Sequence, residues 1–269
     1  RTSQGRAIVN LIGCEADEKV SAFIGVKQGE FHENNFVVMA TEKGVVKKTK
    51  LVAYGNPRKG GIYAIEIRDG DRLIEAKITN GEDDIVLGTD NDNIYLIYDD
   101  GTSASGFPFE ASDKFQAAPS IMDIDGENII FVGCNDDNFY AINGDGSLRF
   151  QIETGDKVLS SPSFLEHDGN QYVLFSDDAG ILHVVDMDGN SMEGWPVYVN
   201  ITISKSIILS DLDGDDSPEV IAVTELKEVL AFNLDGSMHG DFPISADQPF
   251  FSAPLTTDLD GDGDLEIVA

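Results

Sequence analysis

Cysteine, long apolar runs and, past residue 84, basic charge are all scarce in this chain, and each scarcity removes a class of explanation. Cysteine occurs only at Cys14 and Cys134, far apart in sequence. Two such residues make neither a disulfide framework nor a cysteine metal site, so both read as partly buried free thiols. No apolar run approaches the roughly 18 residues of a membrane-spanning helix, so no membrane span is expected. Residues 1–84 hold 13 Lys/Arg against 13 Asp/Glu, while residues 85–269 hold 5 against 36 and so carry the whole net charge of −31. A break that sharp marks a change of module. Catalytic signatures are missing as well. There is no Gly-x-Ser-x-Gly elbow, no His-Glu-x-x-His and no phosphate-cradling glycine loop, and the four histidines are scattered. No catalytic residue is recognised, which leaves enzymatic status open. The start at Arg1, without Met or a signal-peptide pattern, leads us to expect a piece of a longer or processed protein.

What is present is short alternating runs punctuated by Gly, Asn and Asp. The stretch Asp84–Gly101 (DIVLGTDNDNIYLIYDDG) is typical: an apolar run, a polar turn, a second alternating run and a closing Asp-Asp-Gly. That pattern predicts two strands joined by a tight turn. The phrase returns ending at Gly146, Gly189 and Gly236, spaced 45, 43 and 47 residues apart. A second phrase interleaves with it, ending at Gly126, Gly169, Gly214 and Gly261, with aromatic-Pro pairs at Phe107, Trp195 and Phe242 between. About four strands per repeat of this length predicts β-propeller blades.

The first 90 residues carry a different repeat of roughly 50 residues. Candidate strands are 6–11, 20–26, 35–41, 44–48, 61–67 and 72–78, and 35–49 answers to 84–97. Six basic residues fall here with no acidic residue between them: Lys43, Lys47, Lys48, Lys50, Arg58 and Lys59. Such a rim suits phosphate contact, which supplies affinity and salt dependence without reading sequence. A strand edge protected by lysines against aggregation is the competing reading.

The phrases RTSQGRAIVNLI, MATEKGVVKKT and YGNPRKGGIYAIEI resemble the C-terminal domain of the DNA gyrase A-type protein, over about residues 1–90. The resemblance implies a β-pinwheel, a propeller-like disc whose basic rim wraps double-stranded DNA, with those six basic residues on or near the rim. Its wrapping box of Gln-Arg-Arg-Gly type is absent from this chain, and Asn56–Gly61 is at best a degenerate counterpart.

Two turns of the later region carry carboxylates at positions 1, 3, 5 and 9. They are Asp211, Asp213, Asp215 and Glu219, with Ser217 at position 7, and Asp258, Asp260, Asp262 and Glu266, with Asp264 at position 7. Several hard oxygens converging from one tight loop suit Ca²⁺, giving two expected sites. The sister turns at Asp123–Asn128 and Glu166–Asn170 lack the ninth-position acid and read as plain hairpin turns. Residues 85–269, through DLDGDDSPEVIAV and DLDGDGDLEIVA, resemble FG-GAP/VCBS-type propeller repeats. Calcium-stabilised blades used in adhesion or beside catalytic domains are what that resemblance implies.

The expectation is therefore an all-β chain of about six four-stranded blades, two pinwheel-like and four propeller-like, closing as one disc. Its domains are 1–90 and 85–269. Its function is non-catalytic binding: a DNA-wrapping segment of a gyrase A-type protein joined to an acidic Ca²⁺-binding propeller. The alternative is an extracellular or cell-surface Ca²⁺-dependent interaction propeller for a protein or glycan ligand, with no DNA role. The first half implies the cytoplasm and the second the cell exterior.

Overall fold

The computed structural model describes residues 21–22, 24–27, 29, 31–56, 62–80, 84–203, 205–261 and 264–269. Among them the chain is all-β, with 20 strands and one short 3-10 helix, Leu51–Tyr54. The chain divides into two compact units, one made of residues up to Ile85 with Ile97–Thr102, the other of Val86–Leu96 with Ser103–Ala269. Six antiparallel sheets are present among the described residues, three of them with four strands, two with three and one with two. Among the described residues no helix is long and apolar enough to cross a membrane.

In the first unit β1 (Phe36–Thr41) lies between β2 (Val46–Lys50) and β3 (Leu73–Thr79). Its side chains alternate as the pleat requires. Val37 and Met39 face a cluster with Leu51, Phe31, Tyr54, Leu73, Ala76 and Ile78. Phe36, Val38 and Ala40 leave on the other side. Two expectations fail here. Residues 62–68 are not a strand, although they alternate in sequence, and Tyr63 on them is fully exposed. Ala64 and Ile65 pack partly against the core cluster, but among the described residues no neighbouring strand pairs with this segment to hold it extended. The described part of 20–26 is likewise not a strand. The candidate strand at 6–11, and Cys14, lie outside the described residues.

The second unit runs as successive meanders. Strands β4 (Ile85–Gly88), β5 (Asn93–Ile97) and β6 (Phe109–Glu110) make a three-stranded sheet that begins at the boundary of the first unit. Three four-stranded sheets follow. They are β7 (Ser120–Ile124) to β10 (Leu148–Glu153), with β8 (Glu127–Gly133) and β9 (Asn138–Asn143) between; β11 (Ser163–His167), β12 (Asn170–Ser176), β13 (Ile181–Asp186) and β14 (Val197–Tyr198); and β15 (Ile208–Ser210), β16 (Glu219–Val223), β17 (Glu228–Phe232) and β18 (Ile244–Ser245). The last sheet pairs β19 (Leu255–Thr257) with β20 (Glu266–Val268). Among the described residues, three sheets thus have fewer than the four strands expected. The inner strands β8, β9, β12, β13 and β16 are nearly continuous buried runs, because neighbouring sheets cover both of their faces. Phe139 of β9 stacks on Phe175 of the next sheet at 3.8 Å, and Phe175 in turn stacks on its cross-strand partner His183 at 4.6 Å.

One corner repeats in both units. Thr41, the last residue of β1, and Thr89, Cys134, Asp177 and Thr224, which directly follow β4, β8, β12 and β16, are buried and donate their N–H to the carbonyl four residues on, at 2.9–3.1 Å. The residue just before that carbonyl has positive φ every time: Gly44, Asp92, Asp137, Gly180 and Lys227. This is the three-residue hairpin loop that closes with a left-handed residue.

Strand supply distinguishes the two units. In the three four-stranded sheets of the second, the strand preceding the hairpin in sequence joins it, as β7 joins β8, β11 joins β12 and β15 joins β16. In the first, β1 takes its third strand from downstream, with Val38 opposite Lys77 and Phe36 opposite Thr79.

Candidate nucleic-acid interface and acidic loops

Strand β2 carries Lys47, Lys48 and Lys50, and its pairing with β1 sorts them by face. Lys47 lies opposite Met39, on the core side, while Lys48 and Lys50 lie opposite Val38 and Phe36. Lys47 is exposed and donates its ammonium to the Ala64 carbonyl at 2.5 Å. Lys48 stands 4.7 Å over the Phe36 ring and donates to the Asp99 carbonyl. Lys50 pairs with Glu33 at 2.6 Å, both side chains more than half exposed. A pair that open to water is worth at most about 1 kcal/mol, so a phosphate can displace Glu33 cheaply. Lys43 sits in the hairpin loop and donates to the Asp69 carbonyl at 3.4 Å, while the Asp71 carboxylate caps its backbone N–H at 3.0 Å. Arg58 and Lys59 lie outside the described residues.

The acidic loops are built on the turns before β16 and β20. Asp211 Oδ1 accepts N–H groups of Gly214 and Asp215, and Oδ2 accepts that of Asp216, so this carboxylate shapes its own turn. Glu219, buried at the head of β16, reaches back to the Leu212 N–H at 2.8 Å. The second loop repeats this with Asp258 on the Gly261 N–H at 2.6 Å and Glu266 on the Leu259 N–H at 2.8 Å. In each loop the acids at positions 1, 3 and 9 converge: Asp211, Asp213 and Glu219, and Asp258, Asp260 and Glu266, place ligand oxygens within 4.8 Å of one another. Oxygens about 2.4 Å from a shared Ca²⁺ lie up to about 4.8 Å apart. The Asp215 carboxylate is not in the first group and accepts the Ser217 N–H at 2.8 Å. Asp264 is not in the second group, and Asp262 lies outside the described residues.

The hairpin corners hold Cys134, expected as a partly buried free thiol, and Asp177, which the sequence reading passed over. Cys134 is fully buried, and burial pushes its thiol up to about 12, which makes it inert. Asp177 is fully buried beside His183, 3.5 Å away. Burial raises its pKa, but hydrogen bonds from His183 and from the Ile181 and Gly155 N–H groups outweigh this and leave it below the ordinary value. Stabilisation from such a group is present above about pH 4 and is lost as pH falls through the lower folded value. Acid titration from about pH 7 to about pH 3 is expected to lower the thermal midpoint less for Asp177→Asn than for the parent chain.

No family model matches the chain. Part of it is similar to the GyrA-type polypeptide of DNA gyrase. The Clostridium acetobutylicum protein is 44% identical over 89 residues, which is 33% of this chain and 10% of that protein. The Neisseria gonorrhoeae protein is 48% identical over 87 residues, 32% of this chain and 9% of that one. The Aeromonas salmonicida protein is 33% identical over 147 residues, 55% and 15% respectively. The matches thus span 15% or less of these relatives' own length. In fold, the chain resembles the computationally designed Ika8 protein, with TM-score 0.56, 14% identity, and coverage of 92% of this chain and 70% of that one.

Proposed function

We propose that this chain is a non-catalytic binding module whose first unit contacts double-stranded DNA through the β2 lysines, as an accessory segment of a gyrase A-type protein. The observation that carries this reading is the similarity to gyrase A-type proteins at up to 48% identity. The lysines of the Phe36–Val38 side, Lys48 and Lys50, supply the cations, and contact with phosphates would be electrostatic and independent of sequence. The acidic second unit opposes DNA, so binding is strongest where the negative charge is screened from the rim or offset by bound cations.

A second reading concerns the acidic loops. Asp211, Asp213 and Glu219, and Asp258, Asp260 and Glu266, would each hold one Ca²⁺, supported by the convergence of three carboxylates per loop. By itself this also fits a Ca²⁺-dependent interaction propeller at the cell surface.

Gel retardation of a duplex tests the DNA reading. The parent chain is expected to retard duplex at low salt, and Lys48→Ala/Lys50→Ala to weaken it by at least about tenfold, as loss of two phosphate contacts requires. No retardation by the parent chain at low salt would sink this reading.

A further inference from the structure

Lys77 is absent from the basic run that sequence singles out, because it stands 27 residues after Lys50 on another strand. Sheet register brings it back. Val38 of β1 lies opposite Lys48 on one side and opposite Lys77 on the other, so Lys48, Val38 and Lys77 form one row across the sheet. Directly paired residues project to the same face. Lys77 therefore shares the face of Lys48 and Lys50, away from the Val37–Met39 core, and it is exposed.

We propose that Lys77 is a further phosphate-contacting residue, and that the DNA contact is the cross-strand triangle Lys48, Lys50 and Lys77 rather than a run along one strand. This rests on the DNA-binding reading above. Neighbouring strands lie about 4.8 Å apart, which separates Lys48 and Lys77 by about 10 Å at the backbone. One DNA strand presents a phosphate per about 3.4 Å of helix axis, so about three phosphates fall within that span. Three cations in a triangle can follow the curving line of phosphates, whereas cations of one strand alternate between faces, as Lys47 and Lys48 do.

Two carboxylates share the Lys77 side. Glu33 holds Lys50, and Glu75 lies two residues along β3, where its Oε1 accepts the Ala76 N–H. Among the described residues no hydrogen bond or ion pair holds the Lys77 ammonium, so it is available without first breaking a contact.

Fluorescence anisotropy of a labelled duplex, titrated with the full chain over a series of salt concentrations, provides the test. Lys77→Gln is expected to weaken binding about fivefold and to reduce the slope of log K against log salt by about 0.9, the value of one phosphate contact. Lys77→Arg should keep both near the parent values, and Lys227→Gln, in the acidic unit, should change neither. Circular dichroism melts confirm that each variant is folded. A parent slope in Lys77→Gln, with a reduced slope in Lys48→Gln, would overturn the role of Lys77 while leaving DNA binding in place. Absence of salt-dependent binding by the parent chain would overturn both.

Discussion

Calcium at a hundredfold its dissociation constant is expected to raise the thermal midpoint of the acidic unit by about 5–10 °C for each occupied loop. The arithmetic is ligand linkage: a cation that binds only the folded state contributes about 2.7 kcal/mol at that excess, and each kcal/mol moves the midpoint of a domain of this size by about 2–4 °C. The geometry that motivates it is the convergence of Asp211, Asp213 and Glu219, and of Asp258, Asp260 and Glu266. Glu219 ties the strand to its turn through the Leu212 N–H, so a cation there would brace the β15–β16 connection, and one on Glu266 the β19–β20 connection. Asp211→Asn should remove one increment and Asp258→Asn the other, with the double variant indifferent to calcium and to chelator. A midpoint that calcium does not move in the parent chain would eliminate both sites.

The second large effect concerns a glycine that no charge or ligand explains. Gly194 has φ +86°, and a Cβ placed on it would lie 2.0 Å from the Asp235 carbonyl oxygen. The connection leading to Trp195 crosses the Asp235-Gly236 turn of the next sheet there, and the Trp195 indole N–H donates to the Leu234 carbonyl at 2.8 Å. Gly106 crosses Asp145-Gly146 in the same way, with a Cβ at 1.9 Å from the Asp145 oxygen. Gly194→Ala must therefore both adopt a left-handed backbone and push two chains apart. The first cost is about 1–2 kcal/mol, and displacing packed backbone adds about as much again or more. The expected midpoint drop is at least about 4 °C. Gly126→Ala is the matched control: its φ is +87° but nothing lies within 4 Å of the added Cβ, so only the conformational part remains. Equal losses for the two variants would mean that the crossing is looser than it looks.

Much of the fold was legible because the hairpins obey local rules. The phrase Asp84–Gly101 predicts strand, turn and strand, and β4 and β5 fall within it. The corner residues Thr89, Cys134, Asp177 and Thr224 stand at matching places in each repeat, and Thr41 marks the same corner in the first unit. The acids at positions 1, 3 and 9 were legible too, because nine residues of turn fix where each one points. Strand partners were not. The expected strand 72–78 does form, as β3, yet it pairs with β1 upstream, whereas β7 pairs with the strand that follows it. Alternation settles which residues share a face, but it does not name the neighbouring strand. Lys77 was missed for the same reason, since its relation to Lys48 exists only across the sheet. The glycine crossings were also hidden, because nothing in the local sequence of Gly194 announces the approach of Asp235.

Lysine reactivity footprinting in the presence and absence of duplex DNA tests the central claim most directly, because it reports where the nucleic acid lies. At low salt, DNA is expected to protect Lys48, Lys50 and Lys77 from acylation while leaving Lys114, Lys157, Lys205 and Lys227 as reactive as in the free chain. Protection confined to the lysines of the acidic unit, or none anywhere under conditions where duplex is retained, would contradict it.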